Sequence, residues 1–258
     1  MASLFCGLRI DNCHSTPIHV ASYFLDAARN LNPNLYVFAE LFTGSEEQDI
    51  MFVSKLGINS LIREAMQPSD TAELSRLAHR FGGGNPIGSF TISASQYPLE
   101  GLGHKVNDVA ATRILNATVD VKGCSPHAMF MDCTHDNETP HQKRTGADTL
   151  STAAIVAMSC CAVGSVKGFD ELVPNLLNVV SETSKYRLAR SSGIVQAKAE
   201  LSKLHLLMAE QGYSQVHVHQ ENDFISIHRK HPTKNKGYLL IARTAFRSQN
   251  PTRNCMLI

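Results

Sequence analysis

Gly7-Leu8-Arg9-Ile10-Asp11-Asn12-Cys13-His14 is a short apolar run that ends in an acid. Tyr36-Val37-Phe38-Ala39-Glu40-Leu41 repeats that pattern, and Phe130-Met131-Asp132-Cys133-Thr134-His135-Asp136 repeats it again much later in the chain. On parallel strands, such endings put carboxylates at the C-terminal edge of a sheet, where (β/α) barrels build their active sites. Glycoside chemistry needs such a convergence of acids. One carboxylate attacks the anomeric carbon, a second protonates the departing oxygen, and further negative charge favours an oxocarbenium-like transition state. Asp11 is the candidate nucleophile, Glu40 the candidate general acid/base and Asp136 the candidate transition-state stabiliser. Each has a plainer alternative. Asp11 could be a strand-end acid paired with Arg9, two residues away on the same strand face. Glu40 could cap the segment Thr43-Gly44-Ser45-Glu46, and Asp136-Asn137 could be an ordinary turn. Arg9 beside Asp11 would also keep a nucleophilic carboxylate ionised and oriented. For Glu40, the neighbours Phe38, Leu41 and Phe42 are expected to supply the desolvation that makes a carboxyl useful as an acid at neutral pH.

The spacing supports parallel strands. Phe5–Asp11 and Leu35–Ala39 are strand-like, and 29 residues separate Asp11 from Glu40, about one βαβ crossover. Between them Val20, Phe24, Ala27, Ala28 and Leu31 recur at helical spacing, with Thr16 expected as N-cap and Pro17 at the first helical position. Ile58–Arg63 is a further strand, Thr71–Phe81 a helix with Leu74, Leu77, Ala78 and Phe81 on one face, and Ala128–Asp132 another strand. Gly82 to Pro126 is rich in Gly, Ser and Asn with weak periodicity, and Thr149–Val163 reads as a helix or as a helix leading into a buried strand. Gly193–Gln211 is the clearest helix, with Ile194, Ala197, Leu201, Leu204 and Met208 on one face. Gln215–His219, Phe224–Arg229 and Tyr238–Arg243 alternate with period two, so a small antiparallel sheet is expected after the barrel.

Composition narrows the partners. The chain has 258 residues, 43% of them hydrophobic, with 24 basic against 23 acidic side chains and a net charge of +1. No long-range field attracts nucleic acid or an anionic membrane. No run of 18 apolar residues exists, and Met1–Cys6 is too short for a signal peptide, so a cytoplasmic location is expected. Seven scattered cysteines do not form a disulfide framework, and the sequons at Asn116 and Asn137 are expected to be idle. The absence of Trp is unexpected for a sugar-binding protein and leaves any stacking to Tyr and Phe. His217, His219, His228 and His231 invite a metal reading, but no Cys or carboxylate has matching spacing, so neither a metal nor a cofactor is expected. The terminal Cys255-Met256-Leu257-Ile258 has the form of a prenylation signal without an upstream basic cluster. Cys13 is expected to be an inert thiol, its pKa raised by the nearby carboxylate.

The three acid-ending segments, with G-x-R-x-D, a strand-end Glu and a later His-Asp in that order, resemble the alpha-amylase superfamily. The wording of Asp11–Pro17, Ala39–Glu46, Leu61–Ala65 and Gly168–Pro174 is similar to that of the eukaryotic glycogen debranching enzymes, and the resemblance runs from about Gly7 to Arg247. It implies the C-terminal half of a (β/α)8 barrel over residues 1–175, followed over residues 176–258 by the barrel end, a long helix and a small antiparallel β region. It also implies a retaining 4-alpha-glucanotransferase acting on glycogen and maltooligosaccharides. His14 and His135, with Arg9, are the implied substrate contacts; His14 could instead make a helix-entry hydrogen bond. Phe130–Asp136 is one residue longer than the common form of its motif, which leaves Asp132 without a role. The superfamily carries a D-x-x-x-N-H motif on the strand before G-x-R-x-D, and only six residues precede Gly7 here. A fragment is therefore the expectation, and the alternative function is a catalytically silent chain that at most binds glucan or a partner subunit.

Overall fold

The computed structural model describes residues 1–83, 128–173 and 192–246, which form two sheets. The first contains β1 (Gly7–Ile10), β2 (Tyr36–Ala39), β3 (Ser60–Glu64), β4 (Ala128–Met131) and β5 (Ala162–Gly164), all parallel and in sequence order. A doubly wound sheet reverses its strand order at a switch point, whereas a barrel winds on in one direction. This sheet winds on, and it is the half-barrel that the sequence leads one to expect. The second sheet is antiparallel, β6 (Gln215–Glu221), β7 (Phe224–Lys230) and β8 (Gly237–Arg243), also as expected.

Period-two alternation sorts the parallel strands into two faces. Leu8, Ile10, Val37, Ala39, Leu41 and Leu61 pack under α1 (Ile18–Leu31) and α2 (Glu46–Leu56). Arg9, Phe38, Ser60, Ile62 and Glu64 take the opposite face, where Tyr36 Oη lies 2.7 Å from Ser60 Oγ. Gly7 lets β1 and β2 close up, since a Cβ there would stand 2.9 Å from the Tyr36 carbonyl oxygen. A second core joins α3 (Thr71–Phe81), β4, α5 (Asp148–Ala157) and α7 (Val195–Glu210) to the inner face of the antiparallel sheet. It contains Leu74, Phe130, Ile155, Met208, Ile225 and Ile227. Short helices α4 (Pro140–Lys143) and α6 (Lys167–Asp170) complete the described elements.

Two local expectations need correction. Thr16 does not cap α1. Its N–H closes the 3-10 turn Cys13–Ser15, its backbone is extended as a residue before proline tends to be, and Pro17 itself is the N-cap. Helix α2 was not foreseen, although its ends are written in the sequence. The Ser45 hydroxyl accepts from the Gln48 N–H, Glu46, Glu47 and Asp49 fill the first turn, and Gly57 closes the helix at φ 62°. The stretch from Thr149 to Val163 resolves into helix α5, which starts one residue earlier at Asp148, followed by strand β5. Most of the Gly-rich segment to Pro126, and Cys255, lie outside the described residues.

A buried ion pair adds to the second core in joining the two sheets. Arg144 donates to Asp148 and to the Ala65 carbonyl (2.8 Å), and Asp148 Oδ1 accepts the Ala245 N–H at 2.8 Å. Removing one partner of a buried pair leaves the other charge uncompensated. Asp148→Ala should therefore lower the unfolding free energy by about 3–5 kcal/mol, read as an earlier midpoint in urea denaturation.

Candidate active site

The β1–β2 register ends on the pair Ile10–Ala39, so Asp11 and Glu40 are the next residue of each strand. The ladder continues one step further, with the Glu40 N–H donating to the Ile10 carbonyl and the Cys13 N–H to the Glu40 carbonyl, both at 2.9 Å. Arg9, on the same face, reaches both acids with one guanidinium. Nη1 donates to Asp11 Oδ1 at 2.6 Å and Nη2 to Glu40 Oε2 at 3.0 Å. The Asn12 N–H also donates to Glu40 Oε2 at 3.2 Å, from a residue at φ 42°, a conformation Asn tolerates better than most side chains. The two carboxylates are thus held differently. Glu40 is 18% exposed and takes two donors, whereas Asp11 is 65% exposed and keeps Oδ2 without a partner among the described residues. One acid is held at two points and the other at one.

The apolar surround expected for Glu40 is replaced by these polar contacts. Leu41 turns into the core, and Phe42 is half exposed beside Arg63. His14 is exposed in the 3-10 turn, with no hydrogen-bond partner among the described residues. His135 and Asp136 stand in the loop after β4 as an exposed pair, with Nε2 3.1 Å from Oδ1, and no described hydrogen bond or ion pair joins them to Asp11 or Glu40. The structure joins Arg9, Asp11 and Glu40 by hydrogen bonds, and no described hydrogen bond or ion pair links His14, His135 or Asp136 to them.

Two further acids stand at the strand ends, Glu64, which the sequence reading missed, and Asp132, which it left without a role. Glu64 closes β3, buried, on the face shared with Glu40, and its Oε2 accepts Gln67 Nε2 at 2.9 Å and Asn137 Nδ2 at 2.8 Å. Glu64 so anchors the Asp136 loop through the neighbouring Asn137. The apolar pair Leu61-Ile62 precedes it, but Arg63 interrupts the run that would have marked it. Asp132 falls on the opposite parity, the helix side of β4, where it pairs with Lys198 of α7 in a buried contact. Asp170 Oδ1 lies 3.8 Å from the same ammonium. Burial raises the Asp170 carboxyl above its ordinary value, against a hydrogen bond from Ser165, and lowers Lys198 to about 8. Asp132 is accordingly a link to α7. Among the described residues, no three His, Cys, Asp or Glu side chains group to hold a metal, and no helix is long and apolar enough to cross a membrane.

The parallel sheet wound in sequence order has the fold of several solved structures. A cyclic alpha-maltosyl-(1→6)-maltose hydrolase from Arthrobacter globiformis superposes with a TM-score of 0.54 over 93% of this chain and 54% of its own, at 10% identity. An Anoxybacillus alpha-amylase gives 0.53 over 93% and 48%, also at 10% identity, so these likenesses speak for the fold alone. In sequence, residues 1–36 match the glucanotransferase domain of glycogen debranching enzyme, and residues 193–256 match the central domain of the human glycogen debranching enzyme. The glycogen debranching enzyme of Saccharomyces cerevisiae is 47% identical over 95% of this chain, which spans 17% of that relative's length. The chain is homologous to the glycogen debranching enzymes over nearly its whole length.

Cys13 lies in the turn between the two acids' strands, fully buried, and burial pushes its thiol up to about 11. Desolvation is the cause here, in place of the carboxylate repulsion expected from the sequence. Cys133 and Cys161 are pushed up to about 12 by burial in the same way, whereas Cys6 is exposed. Because the thiolate is the reactive species, iodoacetamide at pH 8 should label Cys6 and spare Cys13, Cys133 and Cys161 until the chain is denatured. Peptide mass spectrometry checks this, and rapid native labelling of Cys13 would show that the turn opens.

Proposed function

We propose that this chain carries the nucleophile and the acid/base of a retaining 4-alpha-glucanotransferase that acts on glycogen and α-1,4-linked maltooligosaccharides in the cytoplasm. The observation that carries the reading is the single Arg9 fork holding Asp11 and Glu40 at the ends of neighbouring parallel strands. One guanidinium spans both groups, in keeping with the close carboxylate spacing of about 5–5.5 Å that retaining glycosidases use. The yeast relative's name and that of the model matching residues 1–36 support the same class.

In the reaction, an Asp11 oxygen attacks the anomeric carbon as its bond to the leaving oxygen breaks, and Glu40 gives that oxygen its proton. The glycosyl–Asp11 ester is then opened by the 4-hydroxyl of an acceptor glucan, whose proton passes to Glu40. Arg9 orients Asp11 and holds Glu40 beside it throughout. Asp136 would contribute negative charge to the oxocarbenium-like state once its loop closes towards Asp11, with His135 and His14 hydrogen-bonding sugar hydroxyls. Water in place of the acceptor would make the same machinery a hydrolase. The near-neutral charge supports an uncharged polymer substrate over nucleic acid or membrane lipid. A second reading, a silent chain that only binds glucan, is favoured by Asp136, which is exposed, pairs with His135 and makes no described hydrogen bond to the Arg9 unit.

In a polypeptide that disproportionates maltoheptaose, Asp11→Asn should cut turnover by several orders of magnitude while glucan binding is kept. Proton NMR of the transferred anomers should show retained α configuration. Turnover within tenfold of the parent, or β product, would overturn the assignment. If residues 1–258 alone bind maltoheptaose without transferring it, the second reading holds for the chain by itself.

A further inference from the structure

We propose that the outward face of the antiparallel sheet is a second α-glucan-binding site, separate from the strand-end carboxylates; this rests on the glucan reading above. A cleft of about 400 Å³ lies on that face, lined by His219, Glu221, Asn222, Phe224, Ser226 and Ile241. Its size is within the roughly 300–1,000 Å³ usual for small-molecule clefts. The register builds it, because Glu221 pairs with Phe224, His219 with Ser226, and Ser226 with Ile241, so all five side chains share one face. The alternate residues Ile225, Ile227 and Ala242 are buried in the core on the other side. The platform is therefore rigid, three seven-residue strands fully paired, with its outer side chains held at fixed spacing.

The chemistry of the lining selects the occupant. Phe224 and Ile241 are exposed apolar groups, 45% and 66% accessible. Around them the His219 imidazole, the Glu221 carboxylate and the Asn222 amide have no hydrogen-bond partner among the described residues. An apolar protein surface laid on this face would bury those groups unsatisfied, at about 1–3 kcal/mol each. A phosphate backbone would meet the Glu221 carboxylate on one side of Phe224, and that carboxylate offsets Arg243 on the other. A pyranose ring offers what the cleft lacks, an apolar C–H face for the Phe224 ring and a rim of hydroxyls that both donate and accept. With a polymeric substrate, a second contact on the same chain also raises the local concentration of glucan ends at Asp11 by tethering.

Titration of the 258-residue chain with maltoheptaose, followed by ¹H–¹⁵N NMR, reads both sites at once. The expected result is saturable shifts at Asn222, Phe224 and Ser226 beside a separate set at residues 9–13 and 38–41. Phe224→Ala should weaken the sheet set at least tenfold and leave the other set unchanged. Asn222→Gly, which keeps the left-handed turn (φ 50°) and removes only the amide, should weaken it less and guards against misfolding of the first variant. Shifts confined to the strand ends would overturn the second site and leave the glucan reading standing. Sheet shifts unaffected by Phe224→Ala would overturn it too, and no shifts anywhere would overturn both.

Discussion

The register of β1 on β2 is the constraint on which the candidate site depends. Ile10 opposite Ala39 makes Asp11 and Glu40 neighbours across a ladder step, and their shared parity puts both on the face that Arg9 occupies. A slip of one residue would move an entire strand's side chains to the other face, exchanging Arg9 for Leu8 and Glu40 for Ala39. The slip is prevented from the helix side. Val37, Ala39, Leu41 and Leu61 are fully buried there against Leu25, Val53 and Leu56, and none of these could be traded for a charged side chain. Packing on one face thus fixes the chemistry on the other.

The same parity rule explains how much could be read from the sequence. Acid-ending apolar runs located Asp11 and Glu40 because each run alternates cleanly, and the helix and antiparallel strands after residue 193 announced themselves by periods of 3.6 and 2. The helix α2 was passed over because its interior is mixed in polarity, although Ser45, Glu46 and Gly57 mark its ends. Glu64 was passed over because Arg63 breaks the apolar run just before it. Arg63 belongs to the helix side, where Phe81 and Asp49 receive it. Asp132 looked like a fourth strand-end acid, yet counting two residues on from Phe130 already places it on the helix side.

Lys198 illustrates a signal of another kind. It lies four residues after Ile194 and three before Leu201, inside the stripe of α7 that faces the core. A lysine in a buried stripe needs a counter-charge, and two carboxylates supply it from the ends of β4 and from α6. Periodicity alone finds the stripe; it cannot name the partner, because Asp132 and Asp170 are 66 and 28 residues away in sequence. Periodicity is equally silent on what positions Asp136. A loop after a strand is not bound by the sheet's register, so its side chains are placed by local anchors, here Asn137 on Glu64 and on Thr134.

The position of the Arg9 unit within the sheet also bears on its order. β1 pairs with β2 on one edge and with no strand of the described residues on the other. All four of its residues are only partly buried, while Val37 and Leu61 on the next two strands are sealed. Leu4 and Phe5, just before β1, are each more than half exposed. Edge strands carry unpaired backbone groups and open at lower free energy than central ones. The two acids therefore differ in how firmly they are held. Glu40 sits on a strand paired on both sides, and Asp11 on the strand that frays first. A polypeptide pairing with the free edge of β1 would cover the apolar side chains, complete the backbone ladder and hold Asp11 against Glu40 with one set of contacts. Ordering of Asp11 against Glu40 and burial of that edge are on this account a single event.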